Sequence, residues 1–494
     1  MNLSKSRYCY GIQCPKILWL KKYKPEVMEQ VDNSAIMEQG NAVHEVARYL
    51  FGEHINIEYT DNLSEMIKDT YRTIESYKDV IITEASFDYD HNFCSVDILK
   101  KKGDNYEIYE VKSSTLLKDV YINDASYQYY VLSNLGFKVT KCSVIVINNK
   151  YERIGDIELD KLFLINDITS DVLALQDTVK ENIKKINDYL ASDSEEKREL
   201  DNYCLEPYLC EFFSYCSRNL PKPNVFDLAA DPGKKVMALY KEGYVSYKDL
   251  LGANINDKQR QTIEYNLYDK PDYIDKIKIK EFLDTLPYPI YYLDFETYQL
   301  PIPLYDRVIP YDPIPFQYSL HYELTEDSET QHKEFLGKEG TDPRRALAEQ
   351  LVKDIPRDVT VLAYHMSYEK GRIKRLAEIF PDLSDHLMNI YDNIKDLEIP
   401  FSKRYYYTKA MGASSSIKKV LPALFPNDPE LDYHNLPLIH KGDEASNAYA
   451  TLHLKSKEEQ KTIRQGLLVY CELDTYAMVK IWEQLQKVCR NKCN

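Results

Sequence analysis

Two acids one residue apart, Asp294 and Glu296, end a short apolar run that begins at Ile290. If this run forms a β-strand, both carboxylates point to the same side, because alternate residues of a strand share a face. Crowded carboxylates repel each other unless a cation lies between them, and Mg²⁺ or Mn²⁺ prefers such oxygen ligands. The alternative is an acidic strand end that meets solvent. The spacing therefore predicts a metal site, provided that other segments supply further ligands.

Two later segments carry acids of the same kind. Residues 466–482 have the apolar spacing of a helix, and Tyr470 and Asp474, four residues apart, share one of its faces. This pair places a metal ligand beside a phenol that is able to orient a water. An apolar, strand-like run from Val361 leads into Glu369 at the start of another helical pattern. Three segments thus supply four acids.

This series resembles the DEDD exonuclease superfamily, whose fold is ribonuclease-H-like and whose four acids hold two metal ions. The resemblance implies a first motif at Asp294 and Glu296, a second at Glu369, and a third at Tyr470 with Asp474. It also implies Mg²⁺ or Mn²⁺ as the cofactor and removal of nucleotides in the 3′-to-5′ direction.

The second motif departs from the superfamily pattern, which usually has Asn followed four residues later by Asp. Here those positions are His365 and Glu369. Asp396 could replace the missing ligand, or it could cap a helix or a turn. Phrases within residues 309–319 and 412–422 resemble an uncharacterised bacterial family, domain of unknown function 2779, across the C-terminal part of the chain.

The N-terminal part contains a second set of chemically active residue types. An amphipathic helix is predicted over residues 34–51 and contains His44, and a hairpin signal follows with Asp97 on its first strand. Glu110 and Lys112 alternate on the second strand and so share a face, beside which strand pairing can bring Asp97. Two carboxylates can hold a metal ion, and an ammonium can stabilise charge that develops on a phosphate.

This arrangement resembles the PD-(D/E)XK nucleases, in the branch that includes RecB-type nucleases and CRISPR-associated RecB-like exonucleases. Gln128 matches the helix that follows the active strand, whereas Leu132 stands where a tyrosine is usual and Tyr130 is the alternative. A charged hairpin beside a core histidine is the other interpretation. The resemblance implies three metal ligands and a catalytic lysine: His44, Asp97, Glu110 and Lys112.

One cysteine precedes this nuclease-like segment and three follow it. The pattern resembles the iron-sulfur staple of the same branch and implies a four-iron four-sulfur cluster, which would join two distant parts of the chain. Zinc is the alternative ion, because it also accepts four thiolates. Cys9 competes with Cys14 for the first position. The implied ligands are Cys14, Cys204, Cys210 and Cys216.

Length and composition indicate an α/β multidomain protein. A chain of 494 residues, 44% hydrophobic and 29% charged, predicts two or three domains. We expect a PD-(D/E)XK domain at 1–218, a helical connector at 219–286 and a DEDD-like domain at 287–494, with a polar loop over 325–345. The start lacks the apolar core of a signal peptide, so we expect a cytoplasmic protein without membrane contacts.

The resulting expectation is a metal-dependent nuclease that acts on DNA rather than RNA. The net charge of −16 argues against a protein that coats nucleic acid, although local basic groups occur at 372–375 and 418–419. The alternative is a nucleic-acid-binding scaffold built from degenerate nuclease folds, since fold does not imply function. The sequence contains neither a phosphate-binding nor a dinucleotide-binding glycine motif, so nothing in it indicates an ATP-driven motor or a redox enzyme.

Overall fold

The computed structural model describes residues 3–30, 34–229 and 233–490, and it is a mixed α/β structure. The backbone forms two compact units. Unit 1 contains the chain up to Leu220 together with Leu300–Tyr311, and unit 2 contains Pro221–Gln299 and the chain from Asp312 onward. Within the described residues, no helix combines the length and the apolar character that a membrane span requires.

Unit 1 is built on a seven-stranded sheet in the order β2-β3-β4-β5-β6-β7, in which β1 also pairs with β4. The long antiparallel hairpin β3–β4 continues into β5, which pairs in parallel with β6. The strands are β1 (Leu3–Ser4), β2 (Ile55–Asn56), β3 (Asp79–Tyr89), β4 (Asn92–Lys102), β5 (Asn105–Val111), β6 (Lys138–Ile147) and β7 (Phe163–Asp167).

Two apolar clusters account for the packing of this sheet. One cluster includes Phe87, Ile108 and Tyr127, and the other joins Val43 to Tyr109 and Ile145. Ile108 and Tyr109 are successive residues of β5 and enter different clusters, because neighbouring side chains of a strand point to opposite faces of the sheet. The helices are α1 (Lys5–Gln13), α2 (Pro15–Tyr23), α3 (Ser34–Ala47), α4 (Leu63–Ser76), α5 (Asp119–Asn134), α6 (Leu159–Leu162), α7 (Thr169–Ala174), α8 (Gln176–Leu190) and α9 (Phe213–Ser217).

Unit 2 contains a five-stranded sheet in the order β11-β10-β9-β12-β13. Strand β9 is antiparallel to β10 and parallel to β12, and β12 is parallel to β13. A separate two-stranded pairing joins β8 to β14. The strands are β8 (Tyr273–Ile274), β9 (Ile290–Tyr298), β10 (Ile314–Glu323), β11 (Gln331–Leu336), β12 (Thr360–Ala363), β13 (Ile394–Asp396) and β14 (Tyr406–Tyr407).

The last helix of unit 2, α20, is 34 residues long, and its buried side chains recur at helical spacing. The helices are α10 (Lys234–Lys241), α11 (Tyr247–Leu250), α12 (Asp257–Tyr268), α13 (Lys276–Leu283), α14 (Arg344–Asp354), α15 (Ser367–Ile379), α16 (Ser384–Asn393), α17 (Ile399–Ser402), α18 (Ile417–Leu424), α19 (Gly442–Ala450) and α20 (Lys457–Arg490).

Two segments differ from the expected layout of the chain. The polar stretch 325–345 was predicted as a loop, but it contains the edge strand β11 and the start of α14. An edge strand with little burial lacks the apolar alternation by which a strand is recognised. Of the expected connector at 219–286, residues 221–286 belong to unit 2. There β8 pairs with β14, and Arg404 donates a hydrogen bond of 3.2 Å to Thr262 Oγ1.

Candidate functional site

Three elements of unit 2 bring four acids together. Asp294 and Glu296 alternate on β9, as the strand pattern predicted. Glu369 lies in the first turn of α15, directly after the β12 segment, and Asp474 lies on the buried face of α20. Glu296, Glu369 and Asp474 are each less than a tenth exposed. Buried carboxylates at this density require compensating positive charge.

The pKa of Asp294 shows the effect of this crowding. Burial raises the pKa of Asp294 well above its usual value, and the charges of Asp474, Glu369 and Glu296 raise it further. Glu296 is shifted in the same direction, first by burial and then by Asp474. The Lys418 ammonium opposes both shifts without reversing them. Each of these shifts favours the protonated carboxyl, so a divalent cation that binds here would displace protons.

Glu369 reaches the group despite its departure from the superfamily pattern. Burial, followed by the charge of Asp396, raises the pKa of Glu369 to about 8, although Arg372 and a backbone hydrogen bond oppose the shift. Glu369 Oε2 is buried and has no hydrogen-bond partner among the described residues. An orphaned carboxylate oxygen in an acid cluster fits a metal ligand, because buried acceptors are otherwise nearly always paired.

Two side chains near Asp474, the phenol of Tyr433 and the ammonium of Lys418, stabilise its carboxylate. Tyr433 donates a hydrogen bond of 2.6 Å from its hydroxyl to Asp474 Oδ1. Burial raises the pKa of Asp474 to about 6, while Tyr433 and Lys418 oppose this shift. Tyr433 and Lys418 were not among the predicted site residues, and their distance in sequence from Asp474 explains the omission. Together they orient and partly neutralise the third acidic motif.

Tyr470 lies one helical turn before Asp474 on α20 and faces the acids. Its hydroxyl receives a hydrogen bond of 3.4 Å from Lys418 Nζ. Burial, followed by the charges of Asp474 and Glu296, raises the pKa of Tyr470 well above its usual value. The phenol therefore stays protonated and can donate a hydrogen bond. An added Cβ at Gly442 would lie 3.8 Å from Glu296 Oε2 and 3.9 Å from Tyr470 Oη, so the backbone approaches closely there.

Asp396, at the end of β13, accepts backbone hydrogen bonds that shape the turn before Glu369. The carboxylate of Asp396 accepts backbone N–H groups from His365 at 3.0 Å, Met366 at 3.3 Å and Glu398 at 2.9 Å. His365 has a positive φ of 68°, and its Nδ1 lies 3.1 Å from Glu398 Oε2. Both oxygens of Asp396 are thus occupied by the backbone. This geometry supports the turn role that the sequence left open.

We expect the charge of Glu369 to make metal-free protein less stable as pH rises. Because the folded-state pKa is about 8 and the ordinary value is 4.5, the folded protein keeps a proton that the unfolded chain releases between these values. The free energy of unfolding should therefore fall as pH rises through that window, by on the order of 2–4 kcal/mol from this group. Glu369→Gln removes this dependence.

Urea unfolding in EDTA at about pH 5 and about pH 8.5 measures the effect. Wild type and Glu369→Gln should have similar stability at the lower pH, and the variant should be the more stable one at the higher pH. Mn²⁺ should restore wild type at high pH and have less effect on the variant. Glu281→Gln, an exposed position on α13, is the control. Parallel pH profiles for wild type and Glu369→Gln would contradict the assignment.

In unit 1, the predicted residues Glu110, Lys112 and Gln128 are in direct contact. Lys112 Nζ lies 2.6 Å from Glu110 Oε1 and 2.6 Å from Asp124 Oδ2. Gln128 Nε2 donates hydrogen bonds to Glu110 Oε2 at 2.6 Å and to Asp124 Oδ1 at 3.3 Å. Burial opposes ionisation of Glu110, but Lys112 and Lys5 more than compensate and hold its pKa well below the usual value.

Lys5 was not among the predicted residues of this site, and neither was Asp124. Lys5 Nζ lies 3.2 Å from Asp97 Oδ1 and 3.0 Å from Glu110 Oε1, between the two predicted metal ligands. Strand β1 pairs with β4, and Ser4 caps α1, so that the first residue of α1 enters the acid cluster. Burial lowers the pKa of Lys5, but the nearby carboxylates raise it well above its usual value. An internal ammonium thus lies where a cation is expected.

Asp97 also belongs to a second group of ligands with His44 and Glu84. The donor atoms of these three residues lie within 4.8 Å of one another, and His44 Nδ1 is 4.0 Å from Asp97 Oδ1. Asp97 Oδ2 accepts the Val111 N–H at 2.7 Å. Glu84 has a positive φ of 59° within β3, a strained conformation for a residue with a side chain. Glu84 was not predicted as a site residue, because strand alternation does not reveal a local change in backbone conformation.

Helix α5 carries Leu132 at the position where the nuclease family usually has a tyrosine, and Tyr130 is the alternative predicted from the sequence. Leu132 is fully buried in the core, and Tyr130 packs edge-on against Tyr89. Tyr121 lies near the predicted catalytic lysine, with Lys112 Nζ 5.4 Å from its ring centroid. Gln128 Oε1 is buried without a hydrogen-bond partner among the described residues and can accept one.

Removing the Lys5 ammonium should increase the affinity of unit 1 for divalent ions. In Lys5→Met, an incoming ion no longer has to displace a cation from Asp97 and Glu110, so we expect Mn²⁺ to bind about tenfold more tightly, equivalent to about 1.4 kcal/mol. Calorimetric titration in an Asp294→Asn background reduces the contribution of the unit 2 acids, and comparison within that background isolates the effect of Lys5. Lys180→Met, at an exposed position on α8, should match the background protein. Equal or weaker binding by Lys5→Met would show that Lys5 is not a competitor.

The four predicted cluster cysteines line one cavity in unit 1: Cys14, Cys204, Cys210 and Cys216. Burial raises the pKa of Cys204 to about 11 and that of Cys210 to about 12, and the neighbouring thiols add to both shifts. Cys9 lies elsewhere, where the charge of Asp124 acts on it. The geometry thus groups Cys14 rather than Cys9 with the other three. The raised pKa values favour neutral thiols, whose protons a metal ion would displace on binding.

The fold and these sites define a mixed α/β protein with an acid cluster in each unit. Residues 291–416 match the model of a family described as a domain of unknown function (DUF2779). The matched segment includes Asp294, Glu296 and Glu369 and ends before Tyr470 and Asp474. The matched family carries no assigned activity.

Three curated relatives come from mycoplasmas and a ureaplasma. An uncharacterized protein of Mycoplasma genitalium is 27% identical over 209 residues, covering 38% of this chain and 31% of that protein. Its homolog in Mycoplasma pneumoniae is 25% identical over 209 residues, with the same coverage of 38% and 31%. An uncharacterized protein of Ureaplasma parvum is 23% identical over 299 residues, covering 55% of this chain and 42% of that protein. The chain spans less than half the length of these relatives.

Proposed function

We propose that the protein is a metal-dependent nuclease, with a DEDD-like 3′-to-5′ exonuclease site in unit 2. The observation that carries this proposal is the convergence of Asp294, Glu296, Glu369 and Asp474 from three elements, with an orphaned Glu369 oxygen among them. The antiparallel pair β9–β10, extended on the β9 side by two parallel strands, supports a ribonuclease-H-like fold. The proposed cofactor is Mg²⁺ or Mn²⁺, because the cluster offers hard oxygen ligands.

Each residue of the unit 2 site would have a separate role in catalysis. Asp294, Glu296, Glu369 and Asp474 would hold the ions, which when bound supply activation of a water and stabilisation of the leaving oxygen. Tyr470 would orient the attacking water, since its hydroxyl stays protonated and Lys418 fixes its position. Tyr433 would hold Asp474 in place. In hydrolysis, a water oxygen bonds to phosphorus, the bond to the 3′ oxygen breaks, and that oxygen gains a proton.

For unit 1 we propose a PD-(D/E)XK nuclease site of the RecB-like branch. Glu110 contacts both Lys112 and Gln128, and the Lys5 ammonium links Asp97 to this group. Lys112 would stabilise charge on the phosphate, while Gln128 would fix the Glu110 carboxylate. The metal ligands would be Asp97 and Glu110, with His44 and Glu84 on the other side of Asp97.

We further propose a four-iron four-sulfur cluster on the cysteines of unit 1. The four cysteines line one cavity, and two parts of the chain that are far apart in sequence supply them. Four thiolates suit such a cluster, and zinc is the alternative ion.

The substrate we propose is DNA. The net charge of −16 disfavours a long basic binding surface. Of the predicted basic groups, Arg372 and Arg375 pair with Asp312, at 3.5 Å and 3.1 Å, and so are partly neutralised. Lys418 faces the acid cluster, where its charge acts on Asp294 and its ammonium bonds to Tyr470. Such a site suits the end of a strand better than an extended duplex.

One observation favours a second candidate function, in which unit 1 binds nucleic acid without cutting it. Lys5 already neutralises Asp97 and Glu110, so unit 1 has less need of a divalent ion than unit 2. The alternative for the whole protein is a nucleic-acid-binding scaffold, as the changed second motif also suggests. In that case the acid clusters would be structural remnants.

Cleavage of end-labelled nucleic acids by anaerobically purified protein tests the proposal. Single-stranded DNA, double-stranded DNA and RNA should each be incubated with Mg²⁺, Mn²⁺ or EDTA. We expect metal-dependent shortening of DNA from its 3′ end, with no shortening in EDTA. Binding without cleavage of any substrate would overturn the enzyme assignment and favour the scaffold.

A further inference from the structure

Two histidines face each other at the edge of the unit 2 sheet, outside the acid cluster. His321 on β10 pairs in register with His332 on β11, and their ring centroids lie 4.4 Å apart. Glu472 on α20 completes the group, since one donor atom from each of the three residues lies within 4.8 Å of the others. Three elements distant in sequence therefore bring two imidazoles and a carboxylate together.

Hydroxyl groups fix the orientation of both imidazole rings. His321 Nδ1 lies 2.7 Å from Thr475 Oγ1, and His332 Nε2 lies 2.9 Å from Ser319 Oγ. Ser319 Oγ and Thr475 Oγ1 are themselves 2.6 Å apart. Each ring thus uses one nitrogen in this hydrogen-bond network, which leaves His321 Nε2 and His332 Nδ1 available to an ion. Metal-binding histidines are held in this way, with the second nitrogen bonded to an outer partner.

The charge and exposure of the group also suit an ion. Burial lowers the pKa of His321 to about 3, and the proximity of His332 contributes to this shift. A neutral imidazole offers the lone pair that a metal requires. The side chain of His332 is 23% exposed and that of Glu472 is 50% exposed, so an ion can enter from solvent.

The spacing of the donors fits a single small ion. Two ligands on tetrahedral Zn²⁺, at about 2.0–2.1 Å each, lie about 3.4 Å apart. His332 Nδ1 and Glu472 Oε1 are 3.9 Å apart, close to that separation. Nitrogen ligands favour Zn²⁺ and related transition-metal ions over Mg²⁺, which prefers oxygen.

We propose that His321, His332 and Glu472 bind one transition-metal ion of the Zn²⁺ class. This centre is distinct from the carboxylate site and holds α20 on strands β10 and β11. Thr475, which bonds to His321, directly follows Asp474, and Ser319 pairs in register with Asp294 on β9. An ion at this place therefore fixes the helix that carries the third acidic motif. Its role is to position Asp474 rather than to contact substrate.

Zinc content of the full chain tests the proposal. Wild type, His332→Ala and Glu472→Gln should be dialysed against Zn²⁺ in excess Mg²⁺, which keeps the carboxylate sites filled, and then analysed for metal. His434→Ala, an exposed histidine of the same unit, is the matched control. We expect His332→Ala to contain one Zn²⁺ per chain less than wild type and than His434→Ala. Glu472→Gln should bind this ion about tenfold more weakly.

Two readouts keep the result independent of folding and of nuclease activity. Zn²⁺ should raise the melting temperature of wild type and of His434→Ala more than that of Glu472→Gln, whose exposed side chain can be replaced without unfolding the core. Co²⁺ bound in place of Zn²⁺ should give visible absorption that is lost in His332→Ala. Equal zinc content in wild type, His332→Ala and Glu472→Gln would overturn the proposal.

Discussion

Asp294→Asn should reduce the 3′-to-5′ cleavage assigned to unit 2 by about a thousandfold or more, equivalent to about 4 kcal/mol of transition-state stabilisation. Asp294 lies at the centre of the cluster, where the charges of Asp474, Glu369 and Glu296 all act on it. The amide keeps the size of the side chain but removes the charge that would hold a cation. The variant should fold, and it should be no less stable than wild type without metal, because repulsion among the acids is relieved.

The measurement is the rate of release of 3′-terminal nucleotides in Mn²⁺, made in a Lys112→Met background so that cleavage by unit 1 does not obscure the loss. Asp327→Asn, an exposed acid of unit 2, should cleave at the rate of the background protein. Circular dichroism establishes that each variant is folded. An Asp294→Asn protein that cleaves at the unaltered rate would remove the assignment of this site.

Cys204→Ser should remove iron and sulfide from the protein and destabilise unit 1 by several kcal/mol. Metal–thiolate binding contributes folding free energy directly, about 10 kcal/mol or more in small zinc-binding domains. Cys14 follows α1, whereas Cys204, Cys210 and Cys216 lie after α8, so the cluster would join distant parts of the chain. Without the cluster, the thiols of the remaining three cysteines would have no common partner.

Iron, sulfide and zinc should be measured on anaerobically purified wild type, Cys204→Ser and the control Cys489→Ser, whose half-buried thiol lies in unit 2. We expect about four iron and four sulfide per chain in wild type and in the control, and neither in Cys204→Ser. One additional zinc in wild type relative to Cys204→Ser, with no iron, would establish the zinc alternative. The same metal content in all three proteins would exclude a cysteine-bound metal.

Local patterns in the sequence predict several of the elements that carry the sites. The alternation around Asp294 predicts a strand, and β9 is present there. The spacing of Tyr470 and Asp474 predicts one face of a helix, and both lie buried on α20. The hairpin signal around Asp97 corresponds to β4 and β5. These predictions succeed because strand and helix periodicity depend on residues close together in the chain.

Other groups at the sites have no local signal. Lys5 reaches Glu110 across 105 positions of sequence, and Tyr433 reaches Asp474 across 41. Glu84 enters its group because β3 adopts a strained conformation at that residue. His332 lies in a polar stretch that was predicted as a loop, although it forms an edge strand. Spacing along the chain does not reveal these neighbours.

The sequence alone therefore determined which segments carry acids and which secondary structure they adopt, since both follow from residue type and periodicity. The tertiary structure decided which groups surround each acid: the Lys5 ammonium in unit 1, and Lys418 and Tyr433 in unit 2. It also decided the pairing of His321 with His332, which follows from strand register. The physical reason is that charge compensation and burial depend on distance in space, and packing sets that distance independently of separation in sequence.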